Sequence, residues 1–188
     1  MNVLLTGGSG NLGQTLVPML LDKGDTPVIL DVRAPRYLET RAVFIEGSIL
    51  NRPKLMDIFR GCDCVVHIAA WHGIHEDRGE KNAYDFFDLN VRGTFEVFEA
   101  AVSAGIDNVI FISTTSVYRP DTRYGSSKVL AELIAEDYRK HRNMNVITLR
   151  REDLFHSGTA TSMLNIATGR AGSGREPCTS TMLLPRLS

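Results

Sequence analysis

Tyr124-Gly125-Ser126-Ser127-Lys128 sets a phenol and an ammonium four residues apart, and on a helix both project from one face. A cation beside a phenol favours tyrosinate and draws its pKa toward the working range, so Tyr124 is equipped to exchange a proton with a hydroxyl. A second cluster, His72-Gly73-Ile74-His75-Glu76, brings two imidazoles and a carboxylate together. Its histidines lack the i, i+4 spacing of a zinc-binding helix, and Gly73 marks a loop, so no metal is expected there. His67, inside an apolar run, reads as a structural histidine.

These groups need a scaffold, and the chain supplies one in six apolar runs separated by helical patterns: Val3 to Thr6, Pro27 to Asp31, Ala42 to Ile45, Cys64 to Ile68, Val109 to Ser113 and Val146 to Leu149. Their continuous apolar character predicts fully buried parallel strands. Strand and helix in alternation specify right-handed crossovers and an α/β fold, a doubly wound parallel sheet with its ligand at the carboxyl ends of the strands. Between the fourth and fifth runs, Tyr84, Phe87, Val91, Phe95, Phe98 and Val102 step by three and four, and Gly105 closes that helix. Tyr124 to His141 repeats the pattern with Leu130, Leu133, Ile134 and Tyr138. Pro18 falls within the first helix and predicts a kink.

Directly behind the first run stands Thr6-Gly7-Gly8-Ser9-Gly10-Asn11-Leu12-Gly13. Gly8, Gly10 and Gly13 satisfy G-x-G-x-x-G, in which absent Cβ atoms permit the turn, let backbone approach a pyrophosphate and let helix pack on strand. The helix that follows offers its first N–H groups to phosphate. Asp31 ends the second strand about 20 residues later, where a carboxylate accepts hydrogen bonds from an adenosine ribose and repels a 2′-phosphate. NAD is therefore expected over NADP, with Arg33 the neighbouring cation that could oppose the preference. With NAD bound, proton exchange at Tyr124 would accompany hydride transfer at the nicotinamide, and Lys128 could also hold the nicotinamide ribose.

The chain has 188 residues, 43% hydrophobic composition and a formal charge of -1, enough for one cored domain and short for two. We expect a Rossmann domain over residues 1–150 and an irregular, Ser/Thr/Gly-rich tail, without strand or amphipathic helix, over 151–188. The balanced charge predicts neither nucleic acid nor an anionic membrane as partner, and no run approaches the roughly 18 apolar residues of a membrane helix. Cys62, Cys64 and Cys178 are an odd number, which fits reduced thiols and a cytoplasmic location.

The Thr6 to Gly13 turn, Asp31, His67-Ile68-Ala69-Ala70, Asn90-Val91-Arg92-Gly93-Thr94, Thr114 to Tyr118 and Tyr124 to Lys128 occur in order. On these motifs, over roughly residues 1 to 150, the chain resembles the extended short-chain dehydrogenase/reductase superfamily, specifically its NAD-dependent epimerase/dehydratase group. The resemblance implies Thr114 as the hydroxyl on the reacting oxygen, Tyr124 as acid/base and Lys128 as its electrostatic partner. It implies cofactor contacts from Gly7, Gly10, Asn11, Leu12 and Gly13, from Ala69, Ala70 and Trp71, and from Asn90 in a supporting network. Ser48-Ile49 stands where the group has an Asp followed by an aliphatic residue beside adenine, and a serine holds adenine more weakly than a carboxylate. The substrate implied is a hydroxyl of a sugar, sugar acid or nucleotide sugar, and the two long helices are implied as a homodimer face.

Two departures bear on activity. Arg119-Pro120-Asp121-Thr122-Arg123 is a short remnant of the substrate-contacting segment that usually separates the catalytic hydroxyl from the tyrosine. No sequence for a substrate domain follows the sixth strand. The chain is thus read as an NAD-dependent oxidoreductase or epimerase, with a non-catalytic NAD-binding module or an inactive fragment as the alternatives.

Overall fold

The computed structural model describes residues 1–36 and 39–151, together with the backbone of 182–183. Its elements run β1 (Asn2–Thr6), α1 (Asn11–Asp22), β2 (Thr26–Asp31), β3 (Val43–Glu46), α2 (Arg52–Phe59), β4 (Cys64–His67), α3 (Gly73–Asp77), α4 (Ala83–Phe86), a π-helical turn (Phe87–Arg92), α5 (Gly93–Ala104), β5 (Asn108–Thr114), a 3-10 turn (Thr115–Tyr118), α6 (Arg123–His141), β6 (Asn145–Arg151) and β7 (Met182–Leu183). The sheet order is β3-β2-β1-β4-β5-β6-β7, all pairs parallel. The order of strand addition reverses between β1 and β4, the switch point at which doubly wound folds open a crevice.

Side-chain alternation along the strands builds a core on each face of the sheet. Leu4, Val28, Leu30, Val65 and Phe111 pack with Leu55 and Phe59 of α2, Val97, Phe98 and Ala101 of α5, and Ala131, Ala135 and Tyr138 of α6. Val3, Leu5, Ile29, Val66 and Ile110 pack on the other face with Leu12, Leu16, Val17 and Leu20 of α1. Each large side chain so buried contributes about 1.5–3 kcal/mol. Pro18 lies within α1 on its exposed side.

Four expectations change. β3 is half-exposed rather than buried, because it is the sheet's outer strand and only one neighbour covers it. The long helix is not one α-helix: the π turn inserts between α4 and α5 and turns Asn90, Val91 and Thr94 inward. Its apolar stripe is only partly the core face: Val91 and Phe98 are buried, as is Tyr138 of α6, but Tyr84 is 83% exposed and Phe87, Phe95 and Val102 are also exposed, as are Leu130 and Leu133 of α6. Ala100, Ala101, Ala131 and Ala135 complete the core side, because helices pressed close to a sheet need small residues there. Finally, Arg151 belongs to β6, and Met182 and Leu183 pair with Leu149 and Arg150, so a strand exists where none is expected; the remainder of the expected tail, 152–181 and 184–188, lies outside the described residues. No helix among the described residues is long and apolar enough to cross a membrane.

Candidate active site

At the carboxyl ends of β1, β2, β4 and β5 lies a cleft of about 780 Å³. Gly7, Gly10, Asn11 and Leu12 form its floor, Asp31, Ser48 and Ile49 one end, Ala69, Ala70 and Trp71 a wall, and Thr114, Tyr124 and Lys128 the other end. Gly13 and Asn90 stand behind this lining.

Two glycines of this turn, Gly7 and Gly13, admit nothing larger. A Cβ on Gly7, whose φ is 68°, would come within 2.7 Å of the Ala69 backbone, and one on Gly13 within 2.2 Å of the Gly8 carbonyl oxygen. The turn is thereby held against β4 and the start of α1 against the turn. Gly10 is the N-cap of α1 and no side chain caps that helix, whereas Asn51 caps α2 and Thr122 caps α6. The leading amides of α1 are thus left facing the cleft without a side-chain acceptor, a seat for a pyrophosphate. At the cleft's far end the Asp31 carboxylate accepts the Ser9 N–H at 3.1 Å and the Arg33 N–H at 3.3 Å. Arg33 and Arg36 line the same end. Ser48 Oγ accepts the Leu50 N–H at 3.2 Å.

The wall is set by a buried polar chain. Ile68 and Ala69 donate their N–H groups to Thr6 Oγ1, which bonds His67 Nδ1 at 2.7 Å. His67 Nε2 bonds Thr94 Oγ1 at 2.9 Å, and Thr94 donates to the Asn90 carbonyl at 2.7 Å. Because Thr94 spends its proton on Asn90, Nε2 carries the imidazole hydrogen and Nδ1 accepts from Thr6. Burial, with Lys128 nearby, pushes the His67 pKa down to about 3, so the ring is neutral. Asn90 then grips the wall itself through the backbone of Trp71, and its Nδ2 reaches Ser127 Oγ at 2.9 Å.

At the Tyr124 end, Thr114 and Tyr124 line the cleft together. Thr114 Oγ1 accepts the Ser116 N–H at 3.2 Å. Lys128 is buried, donates from Nζ to the Ile112 carbonyl at 2.6 Å and lies 4.2 Å over the Phe111 ring. Its burial lowers its pKa to about 7. The sequence has Lys128 pull the Tyr124 phenol down; instead burial raises the Tyr124 pKa, opposed by the nearby Thr114 hydroxyl and by the charge of Arg151. Arg151 went unrecognised because it follows a strand as one of two adjacent arginines. The register pairs it with Thr114, and its buried side chain lines the cleft. Its neighbour Arg150 is committed elsewhere, donating from Nε to Glu132 Oε1 and from Nη2 to Glu132 Oε2.

Gly73 does not mark a loop. It opens the short helix α3, capped by His72, and a Cβ there would sit 3.3 Å from the Tyr124 ring. Glu76 of α3 accepts the backbone N–H groups of Arg123 and Tyr124 at 3.0 Å each, a contact across 47 residues that no local pattern announces. Among the described residues no group of three or more His, Cys, Asp or Glu could hold a metal ion.

Sheet order, glycine turn and acidic strand end together define a dinucleotide-binding fold with a Thr-Tyr-Lys set at one end of its cleft. The chain belongs to the NAD dependent epimerase/dehydratase family, whose model matches residues 3–182. It is 30% identical over 167 residues to the UDP-glucose 4-epimerase of Erwinia amylovora, covering 74% of this chain and 49% of that protein. The UDP-glucose 4-epimerase from Brucella ovis, solved with NAD, superposes with a TM-score of 0.72 at 26% identity, covering 81% of this chain and 52% of that one. MoeE5, solved with UDP-glucuronic acid and NAD, superposes with a TM-score of 0.70 at 29% identity over 80% of this chain and 54% of that one. The chain thus spans about half the length of these relatives.

Proposed function

We propose that this chain binds NAD and exchanges a proton with a hydroxyl of a sugar, sugar acid or nucleotide sugar. NAD, when bound, supplies the acceptor or donor of hydride. Asp31 would receive the adenosine ribose, the α1 amides and the turn of Gly7 to Gly13 the pyrophosphate, and Ala69, Ala70 and Trp71 would line the nicotinamide half. Tyr124 would take the hydroxyl proton as the substrate is oxidised and return it in the reverse direction, Thr114 would orient the reacting oxygen, and Lys128 would hold the nicotinamide ribose. The observation that carries the reading is the convergence of Thr114, Tyr124 and Lys128 on one cleft whose other end is lined by Asp31.

Because the Tyr124 pKa is raised, the phenol is protonated at neutral pH and oxidation should accelerate into the alkaline range as tyrosinate forms. Titration with NAD, followed by turnover on a panel of aldoses, uronic acids and their nucleotide conjugates, tests the reading. Tyr124→Phe should abolish turnover and leave NAD affinity unchanged within about twofold; undiminished turnover would remove Tyr124 from the chemistry. A second reading is an NAD-binding module without turnover. It predicts NAD binding with no turnover on any member of the panel.

The exposed Phe95 and Val102 of α5 and Leu130 and Leu133 of α6 support a homodimer through the two long helices. The free thiols of Cys62 and Cys64 support a reducing, cytoplasmic setting.

A further inference from the structure

We propose that Glu76 is a positioning residue for Tyr124, fastening the segment that lines the cofactor cleft to the helix that carries the proton-exchanging phenol. The inference rests on the reading of Tyr124 as acid/base. A helix leaves its first N–H groups without intrahelical acceptors, and α6 begins immediately after the short stretch Arg119 to Thr122. Thr122 satisfies only Gly125, at 3.0 Å. The Arg123 and Tyr124 amides go one to each oxygen of Glu76, and a carboxylate is favoured at that positive helix end. Two parallel bonds to one rigid carboxylate fix direction as well as distance. The Arg123 guanidinium, 3.9 Å from the same carboxylate and mostly exposed, adds a weak attraction.

The same segment also holds the Tyr124 ring. His72 lies 5.0 Å from it, centroid to centroid, and Gly73 approaches so closely that a Cβ would stand 3.3 Å from its edge. Backbone and ring of Tyr124 are therefore both seated on residues 72–76, while residue 71 is held by Asn90. Cofactor wall and acid/base thus move as one body.

The test compares wild type with Glu76→Gln and Glu76→Ala in the full chain. Amide hydrogen exchange of the peptide containing Arg123 and Tyr124 should quicken about tenfold or more in Glu76→Ala and less in Glu76→Gln, which keeps one accepting oxygen. In turnover, kcat should fall about 10- to 100-fold in Glu76→Ala, with KM and NAD affinity within about threefold and partial recovery in Glu76→Gln, as expected when a reacting group is displaced by about 1 Å. Unchanged exchange at these amides, or a fall confined to NAD affinity, would overturn the proposal. If Glu76→Ala fails to fold, Glu76→Gln carries the same comparison. Absence of turnover in wild type would count against the acid/base reading alone, since the exchange measurement still decides whether Glu76 anchors the helix.

Discussion

Asn90 holds Trp71 by both of its backbone groups: Oδ1 accepts the Trp71 N–H at 2.7 Å while Nδ2 donates to the Trp71 carbonyl at 3.0 Å. An asparagine side chain thereby stands in for a strand partner just beyond β4, where the sheet has ended and the cleft wall begins. Asn90→Ala should lose about 1–3 kcal/mol of stability in urea unfolding, since it orphans polar groups away from water, and should weaken NAD binding. Asn90→Asp, which cannot donate to Trp71 or Ser127, should lose as much at neutral pH. Wild-type stability and affinity in both variants would show that other contacts hold the wall.

Asp31 spends part of its carboxylate on the Ser9 and Arg33 amides, so it is fixed in place before any ribose arrives. Asp31→Ser should weaken NAD binding about 10- to 100-fold, the worth of a charge-assisted hydrogen bond. It should also bring NADP to comparable affinity through Arg33 and Arg36. Fluorescence titration with both nucleotides decides the point, and a wild type that prefers NADP would refute the assignment of Asp31.

His67 makes stability pH-dependent with a definite sign. Its folded pKa lies near 3 against an ordinary value of 6.5, so between those limits the unfolded chain binds a proton that the folded chain refuses. Stability therefore falls as pH falls through this window, by up to about 1.4 kcal/mol per pH unit from this group. Urea unfolding at pH 7 and 4.5 should show a smaller loss in His67→Gln than in wild type; equal losses would assign the slope to other groups.

Leu133 is 62% exposed on the same helix that carries Tyr124. If α5 and α6 form a dimer face, Leu133→Glu should weaken self-association at least about tenfold while leaving NAD binding intact. Sedimentation of both forms reads this directly, and a wild type that stays monomeric at high concentration would remove the dimer.

The alternation of strand and helix was legible because parallel strands buried on both faces write their apolar runs without interruption, from Val3 onward. The nucleotide end of the site was legible for a related reason: a backbone approach such as Gly7 on Ala69 admits one residue type only. Where periodicity misled was in the extent of the buried face, since Tyr84, Phe87, Phe95, Leu130 and Leu133 point outward while alanines share the core side with Phe98 and Tyr138. Arg151 and Glu76 left no local mark, because strand register places the first beside Thr114 and a tertiary contact brings the second to Tyr124. The π turn at Asn90 was half-visible as a polar interruption, but not its geometry.

The uncapped start of α1 sets robustness against recognition at a single backbone position. Gly10 has φ −73° and ψ 172°, a conformation open to any L-residue, and an added Cβ would meet only the Gly7 carbonyl at 3.3 Å. A serine could therefore occupy the position with slight adjustment and supply the missing cap, a gain of up to about 1 kcal/mol for the empty protein. Its hydroxyl would then compete for the amides that await phosphate. Gly10→Ser should melt higher than wild type without nucleotide and gain less when NAD is added, the mark of a sequence that gives up some stability of its own to leave the first α1 amides uncapped for phosphate.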